Sequence, residues 1–307
     1  MTEARAMDSA RTQVRSGFVA LMGRPNVGKS TLLNSLLGQK VTIVSRKPQT
    51  TRHRILGIHT IPGAQIVYVD TPGLHREQKT AMNRLLNRAA TAALADADVA
   101  VFLVDALRWT PEDELVLERL AAFTNPVILA LNKVDRLRAK AMLLPLIERL
   151  SGKRVFAAVI PVSATRGINL PALEAEIVQR LPRSAAYFPP QQITDRSERF
   201  MAAELIREQL VNTLGQELPY ASTVSIEAFE QQGRLRRIAA VIWVERSGQK
   251  PIVIGHKGQR LKHIGQRARL EMQARFEAVV YLQLWVKVRQ GWSDDERALG
   301  SLGYVEP

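Results

Sequence analysis

The chain has no cysteine among its 307 residues. That excludes a disulfide scaffold, cysteine-ligated zinc, iron–sulfur clusters and a cysteine nucleophile. No apolar run approaches the roughly 18 residues a membrane-spanning helix needs. The opening stretch, MTEARAMDSARTQVRS, lacks the apolar core of a secretory signal and is expected to be a disordered tail over 1–16. Aromatics are scarce at 6%. The hydrophobic fraction is 46%, ordinary for a protein with a packed core and too high for a disordered one. The length suggests two domains. In place of the missing features stands a formal charge of +14, which points to nucleic acid, anionic lipid or an acidic partner.

The charge is unevenly spread. Residues 1–183 carry 26 basic and 15 acidic side chains, and residues 184–307 carry 17 and 14. Within the second part, residues 246–289 hold ten basic groups and two acidic ones. A localised anion-binding face and a solvated helix face both fit this block.

The first part alternates apolar β-rich runs with helical patterns. Strands are expected at Gly17–Met22, Val41–Ser45, Arg54–Thr60, Gln65–Asp70, Val99–Ala106, Pro126–Asn132 and Val155–Val162. Helices are expected at Lys29–Leu37, Thr80–Leu94, Pro111–Phe123, Leu137–Leu150 and Leu170–Leu181. Continuous apolar strands suit a sheet covered on both faces, so the expected fold is a mostly parallel α/β sheet over 17–182. A Pro-rich stretch follows, with 183–192 expected to be a linker. The remainder, 193–307, is a separate α+β domain with its core at about 205–290. Its expected order is a helix at Thr194–Leu214, strands Thr223–Phe229 and Leu235–Glu245, and a short strand Ile252–Ile254. A long basic helix to Phe276, a strand Val279–Arg289 and a last helix at Asp295–Leu302 follow.

Gly23-Arg-Pro-Asn-Val-Gly-Lys-Ser30 matches GxxxxGK[ST] between a strand and a helix, the setting of a phosphate-binding loop. Its backbone amides, from Gly23, Arg24, Pro25 (which lacks one), Asn26, Val27 and Gly28 through Thr31, frame a polyphosphate at a helix N-terminus. Lys29 is expected to reach the β- and γ-phosphates, and the Ser30 hydroxyl to ligate Mg²⁺. Asp70-Thr71-Pro72-Gly73 ends a buried strand, where Asp70 suits Mg²⁺ through water and the Gly73 amide suits the γ-phosphate. Asn132-Lys133-Val-Asp135 ends another. The Asp135 carboxylate suits the guanine N1–H and 2-amino edge; a helix N-cap is its structural alternative. Ser163-Ala164 closes the next strand, with the Ala164 amide facing the guanine carbonyl oxygen. Ligands in such sheets bind at strand C-terminal ends.

In this order the motifs resemble those of translation-factor-type GTPases. Lys47-Pro-Gln-Thr-Thr-Arg-His53 is similar to the first switch of the Era group of bacterial GTPases. The resemblance implies GTP and GDP as ligands and a switch threonine that closes on Mg²⁺. Thr51 is the first choice and Thr50 the second. Lys29, Thr51 and Gly73 are the expected catalytic set, with Ser30, Thr51 and Asp70 as metal ligands. Leu74 stands where Ras-like proteins carry a water-orienting glutamine, so slow intrinsic hydrolysis is expected. Asn26 is a candidate K⁺ ligand, as in potassium-activated relatives, or a loop-stabilising residue.

In the second domain, Gly255-His256-Lys257-Gly258 is a GxxG loop before a helix with an Ile264/Ala268/Met272 apolar stripe. Arg260 and Lys262 on that helix, with Lys257 in the loop, suit phosphate. The order of elements fits a type II KH domain, which clamps single-stranded RNA. Ile193–Ala203, Leu284–Val288 and Ala298–Tyr304 also resemble the Era group. That resemblance implies a GTP-regulated assembly factor of the small ribosomal subunit, binding the 3′ end of 16S rRNA. It further implies a cytoplasmic protein with peripheral contact to the inner membrane, acting as a monomer. Trp285 and Trp292 are given no RNA role. Two other readings compete: an RNA-binding module with a vestigial nucleotide fold, and a GTPase that uses its charge on anionic lipid. Lys29, Ser30, Asp70, Asn132 and Asp135 are all present, which disfavours decay, and Asn132–Asp135 disfavours ATP.

Overall fold

In the computed structural model, which describes residues 14–45, 47, 50–73, 80–215, 218 and 220–304, the chain divides into two compact units. The first comprises the residues up to Gln39, Arg54–Thr71 and Ala90–Asp195. The second comprises Lys40–His53, Pro72–Ala89 and Arg196 onward.

The first unit is built on a seven-stranded sheet. Its strands are β1 (Val14–Met22), β2 (Ile55–Ile61), β3 (Ala64–Asp70), β4 (Val99–Asp105), β5 (Val127–Asn132), β6 (Ala158–Pro161) and β7 (Arg183–Ser184). They run in the order β2-β3-β1-β4-β5-β6, with β7 also beside β1. Pairing is parallel except for the β2–β3 hairpin and β7. Every residue of β3, β4 and β5 is buried, as expected for strands covered on both faces. The helices are α1 (Lys29–Leu37), α2 (Ala81–Ala95), α3 (Pro111–Leu120), α4 (Leu143–Ser151) and α5 (Leu170–Arg180); the first part of α2 belongs to the second unit. α3 starts with a capping box between Thr110 and Asp113 and a proline in its first turn.

The second unit has α6 (Glu198–Thr213), β8 (Ser222–Gln232), β9 (Leu235–Val244), α7 (Gln249–Ile254), α8 (Gln259–Phe276), β10 (Val279–Val288) and α9 (Glu296–Ser301). Its sheet runs β10-β9-β8; β8 is antiparallel to β9, with an irregularity between Ile226 and Ala228, and β10 is parallel. Ile264, Ala268 and Met272 of α8 pack with Leu205, Ile206 and Leu210 of α6 in one core.

Five expectations need correction. Val14–Ser16 are not tail but the start of β1, where Arg15 donates to the Gln179 and Leu181 carbonyls at 2.8 Å. Val41–Ser45 form no strand: Val41 and Ile43 are buried, and the Val44 amide donates to Glu208. The alternation thus marks two buried residues of the second unit and not a sheet. Ile252–Ile254 lie in α7, a helix too short to show a period. The expected helix Leu137–Leu150 is α-helical only from Leu143, after a 3-10 turn at Lys140–Met142. The expected linker is held by the first unit: Arg183 and Ser184 form β7, and Gln65 accepts from the Tyr187 and Phe188 amides at 2.8 and 2.9 Å. Trp292 is fully buried against Tyr304, whereas Trp285 is 43% exposed.

Candidate nucleotide site and nucleic-acid interface

The glycine-rich loop joins β1 to α1. Asn26 and Gly28 take positive φ, 60° and 111°. A Cβ at Gly28 would lie 2.4 Å from Asn132 Nδ2, so glycine is required on both counts. No side chain caps α1, which leaves its first amides for a ligand. Lys29 is buried and bridges the loop, donating to the Gly23 and Arg24 carbonyls at 2.7 and 3.1 Å. Burial draws its pKa down from 10.5 to about 8; the Asp70 and Asp113 carboxylates oppose the fall. The Arg24 side chain turns to Asp113 at 3.1 Å and Asp105 at 3.5 Å, so Arg24 offers a ligand its backbone.

At the end of β3, Asp70 Oδ2 accepts from the Ser30 hydroxyl at 2.7 Å. Asp70 Oδ1 is buried with no hydrogen-bond partner. Burial lifts this carboxyl from 3.8 to about 6, against the pull of Lys29 and Ser30. An orphaned anionic oxygen beside a serine hydroxyl fits a hard divalent cation. Among the described residues no cluster of three or more His, Cys, Asp or Glu could hold a metal. Such an ion would therefore share its ligands with phosphate, the usual arrangement for Mg²⁺. Thr71 ties β3 to β1 through the Leu21 carbonyl at 3.0 Å. Thr51, Pro72 and Gly73 belong to the second unit. Leu74 lies outside the described residues.

At the other end of the site Asn132 acts as a staple. Its Nδ2 donates to the Val27 carbonyl at 2.9 Å, and its Oδ1 accepts from the Ala164 amide at 3.0 Å. The Ala164 amide, expected to meet guanine, donates to Asn132 in this structure. Lys133, at φ 68°, donates to the Asn26 carbonyl at 3.1 Å and to Asp105 at 2.8 Å. Asp135 is exposed, and its Oδ1 accepts from the buried Ser163 hydroxyl at 2.6 Å. It sits inside the 3-10 turn that Lys133 caps, which removes the N-cap alternative. Asp105 and Asp113 were missed. The detectable signal was Asp105 itself, an acid ending an apolar strand in register with Asn132.

In the second unit, Gly255, Lys257 and Gly258 have φ of 73°, 48° and 78°. Gly258 enters α8 without a side-chain cap, so amides again face outward at a helix start. His256, Lys257 and Lys262 are exposed. Arg260 folds back onto the Ile252 carbonyl, bracing α7.

This is a P-loop GTPase fold followed by a KH fold. A family model described as 50S ribosome-binding GTPase matches residues 18–133, and a KH domain model matches 217–293. The chain is 58% identical over 290 residues to the GTPase Era of Pseudomonas aeruginosa (strain LESB58), covering 94% of this chain and 95% of that protein. It belongs to the Era family of GTPases. It is similar to two crystal structures, each 39% identical at a TM-score of 0.91, covering 95% of this chain and 100% of the other. One is an Aquifex aeolicus Era variant bound to GDP·AlF4⁻; the other is Era with MgGDPNP and nucleotides 1506–1542 of 16S ribosomal RNA.

Proposed function

We propose that this GTPase binds the 3′ end of 16S rRNA through its KH half and acts in small-subunit assembly under control of its nucleotide state. The carrying observation is the pairing of two anion-ready helix starts, one after Gly28 and one after Gly258, in a family whose members include an RNA-bound relative. In the nucleotide site, Lys29 presents its ammonium to the phosphates and the first amides of α1 bind their oxygens. Ser30 and Asp70 would hold Mg²⁺, with Thr51 completing the set when the switch closes. When bound, Mg²⁺ supplies neutralisation of charge on the β- and γ-phosphates. Asp135, oriented by Ser163, selects guanine. K⁺ at Asn26 belongs to the same reading, and equal hydrolysis rates in potassium and sodium would sink it.

No helix among the described residues is long and apolar enough to cross a membrane. Peripheral contact with anionic lipid draws its support from the formal charge of +14. The test of the central reading is crosslinking in cells followed by sequencing of bound RNA. The 3′ end of 16S rRNA should dominate and disappear in Gly258→Asp, which sets a carboxylate where RNA phosphate would lie while GTP binding persists. Recovery of other RNA, or of the same RNA from the variant, refutes the reading.

A further inference from the structure

Thr50 and Thr51 lie in the segment Lys40–His53, which belongs to the second unit. Side chains of that unit hold several of the segment's described residues. Lys40 is paired with Glu208 and Glu271, and the Val44 amide donates to Glu208 Oε1 at 2.9 Å. The Thr50 carbonyl accepts from Arg207 Nη2. Arg52 donates to the Ser222 carbonyl at 2.9 Å, the Tyr220 carbonyl at 3.2 Å and the Tyr304 hydroxyl at 3.2 Å. The His53 ring stacks on Tyr304 at 4.7 Å and meets Phe200 edge-on at 5.0 Å.

Arg207, on α6, is the centre of this arrangement. It is buried, and its Nε and Nη2 grip Glu204 at 2.7 and 2.6 Å. The pairing satisfies the guanidinium's charge and fixes its planar fork against the Thr50 carbonyl. Thr51 is therefore bracketed by two anchored neighbours. Adjacent Cα atoms are about 3.8 Å apart, so Thr51 has one residue of reach in either direction while Thr50 and Arg52 stay bound. A buried ion pair is a weak source of stability, and apolar packing would secure a static loop as well. Polar bonds to a carbonyl can instead be exchanged as a unit.

We propose that Arg207 is a positioning residue for GTP hydrolysis: it retains the Thr50–Thr51 peptide in the second unit, and the hydrolytic state forms when that grip is released. The inference rests on Thr51 being the switch threonine. Because linkage is reciprocal, GTP with Mg²⁺ that favours the released segment also loosens α6.

The test is steady-state GTP hydrolysis by the full chain carrying Arg207→Lys or Tyr304→Phe. Lysine keeps a charge for Glu204 but loses the fork. Phenylalanine keeps the stack on His53 and removes one acceptor of Arg52. Each should raise kcat roughly fivefold or more, the low end of ordinary coupling between sites, and lower KM for GTP by the same linkage, with GDP affinity unchanged. A merely structural role would lower thermal stability without that split. Unchanged or reduced kcat in both folded variants overturns the inference. Thr51→Ala separates the two layers. If it leaves hydrolysis intact, the switch assignment fails. If it abolishes hydrolysis while both clasp variants behave as wild type, the role of Arg207 alone fails.

Discussion

Replacing Asp70 by asparagine should stabilise the nucleotide-free protein while abolishing its response to Mg²⁺. The carboxyl group is wholly buried, and its Oδ1 has no partner. Its pKa stands at about 6 instead of 3.8, chiefly because burial penalises the anion. One pKa unit corresponds to about 1.4 kcal/mol, so keeping this group ionised at neutral pH costs the folded state about 3 kcal/mol. The folded state binds the proton more tightly than the unfolded state. Wild type therefore gains stability at this site as pH falls from neutrality through about 6, and the gain is complete below 3.8. Asparagine escapes the penalty and can still accept from Ser30, but it brings amide hydrogens into a buried place. A net gain of about 1–3 kcal/mol remains. At about 2–4 °C per kcal/mol, the first unit should melt several degrees higher. Calorimetry at pH 7.5 would measure this without nucleotide, and then with GDP in the presence and absence of Mg²⁺. The variant should melt above wild type in the first condition and show no added stabilisation by Mg²⁺. A variant that melts below wild type without nucleotide would show that the carboxylate serves as a stabilising partner of Lys29, and the reasoning would be refuted.

Gly28→Ala should remove GTP and GDP binding, because the new Cβ meets Asn132 Nδ2 at 2.4 Å and φ of 111° disfavours any side chain; titration calorimetry giving wild-type affinity would contradict the loop geometry. GDP affinity should fall as pH rises through about 8, where the buried Lys29 loses its proton. Over the same window, up to 10.5, the nucleotide-free protein should gain stability, because its folded state no longer carries a buried ammonium. Titrations across that range would check both signs, and a flat affinity profile would count against Lys29 as the phosphate contact.

Much of the nucleotide site was legible because the chemistry required there is visible one residue at a time. Glycines mark positive φ, and Ser30, Asp70, Asn132 and Asp135 are polar residues near the ends or starts of apolar elements. The Ile264/Ala268/Met272 stripe was equally plain, since helical spacing and burial coincide. What escaped depends on partners distant in sequence. Val41 and Ile43 alternate like a strand but are buried residues of a unit that lies mostly beyond Arg196. β7 is two residues long and exists only because β1 offers it an edge. Trp292 and Trp285 look alike in sequence, yet Trp292 is buried in a cluster with Met82, Leu86, Leu299 and Tyr304 while Trp285 is exposed. The bond from the Ala164 amide to Asn132 Oδ1 escaped as well, because nothing local reveals that partner.

The Asn132 staple has a consequence for accuracy. One side chain holds the Val27 carbonyl of the glycine-rich loop and the Ala164 amide beyond β6. With the nucleotide bound as proposed, its two ends would be gripped by parts that cannot shift independently. A base that fitted badly beside Asp135 would strain the turn around Ala164, and the same asparagine would pass that strain to the loop around Lys29. A wrong nucleotide would then be disfavoured in its own hydrogen bonds and also in the geometry offered to its phosphates.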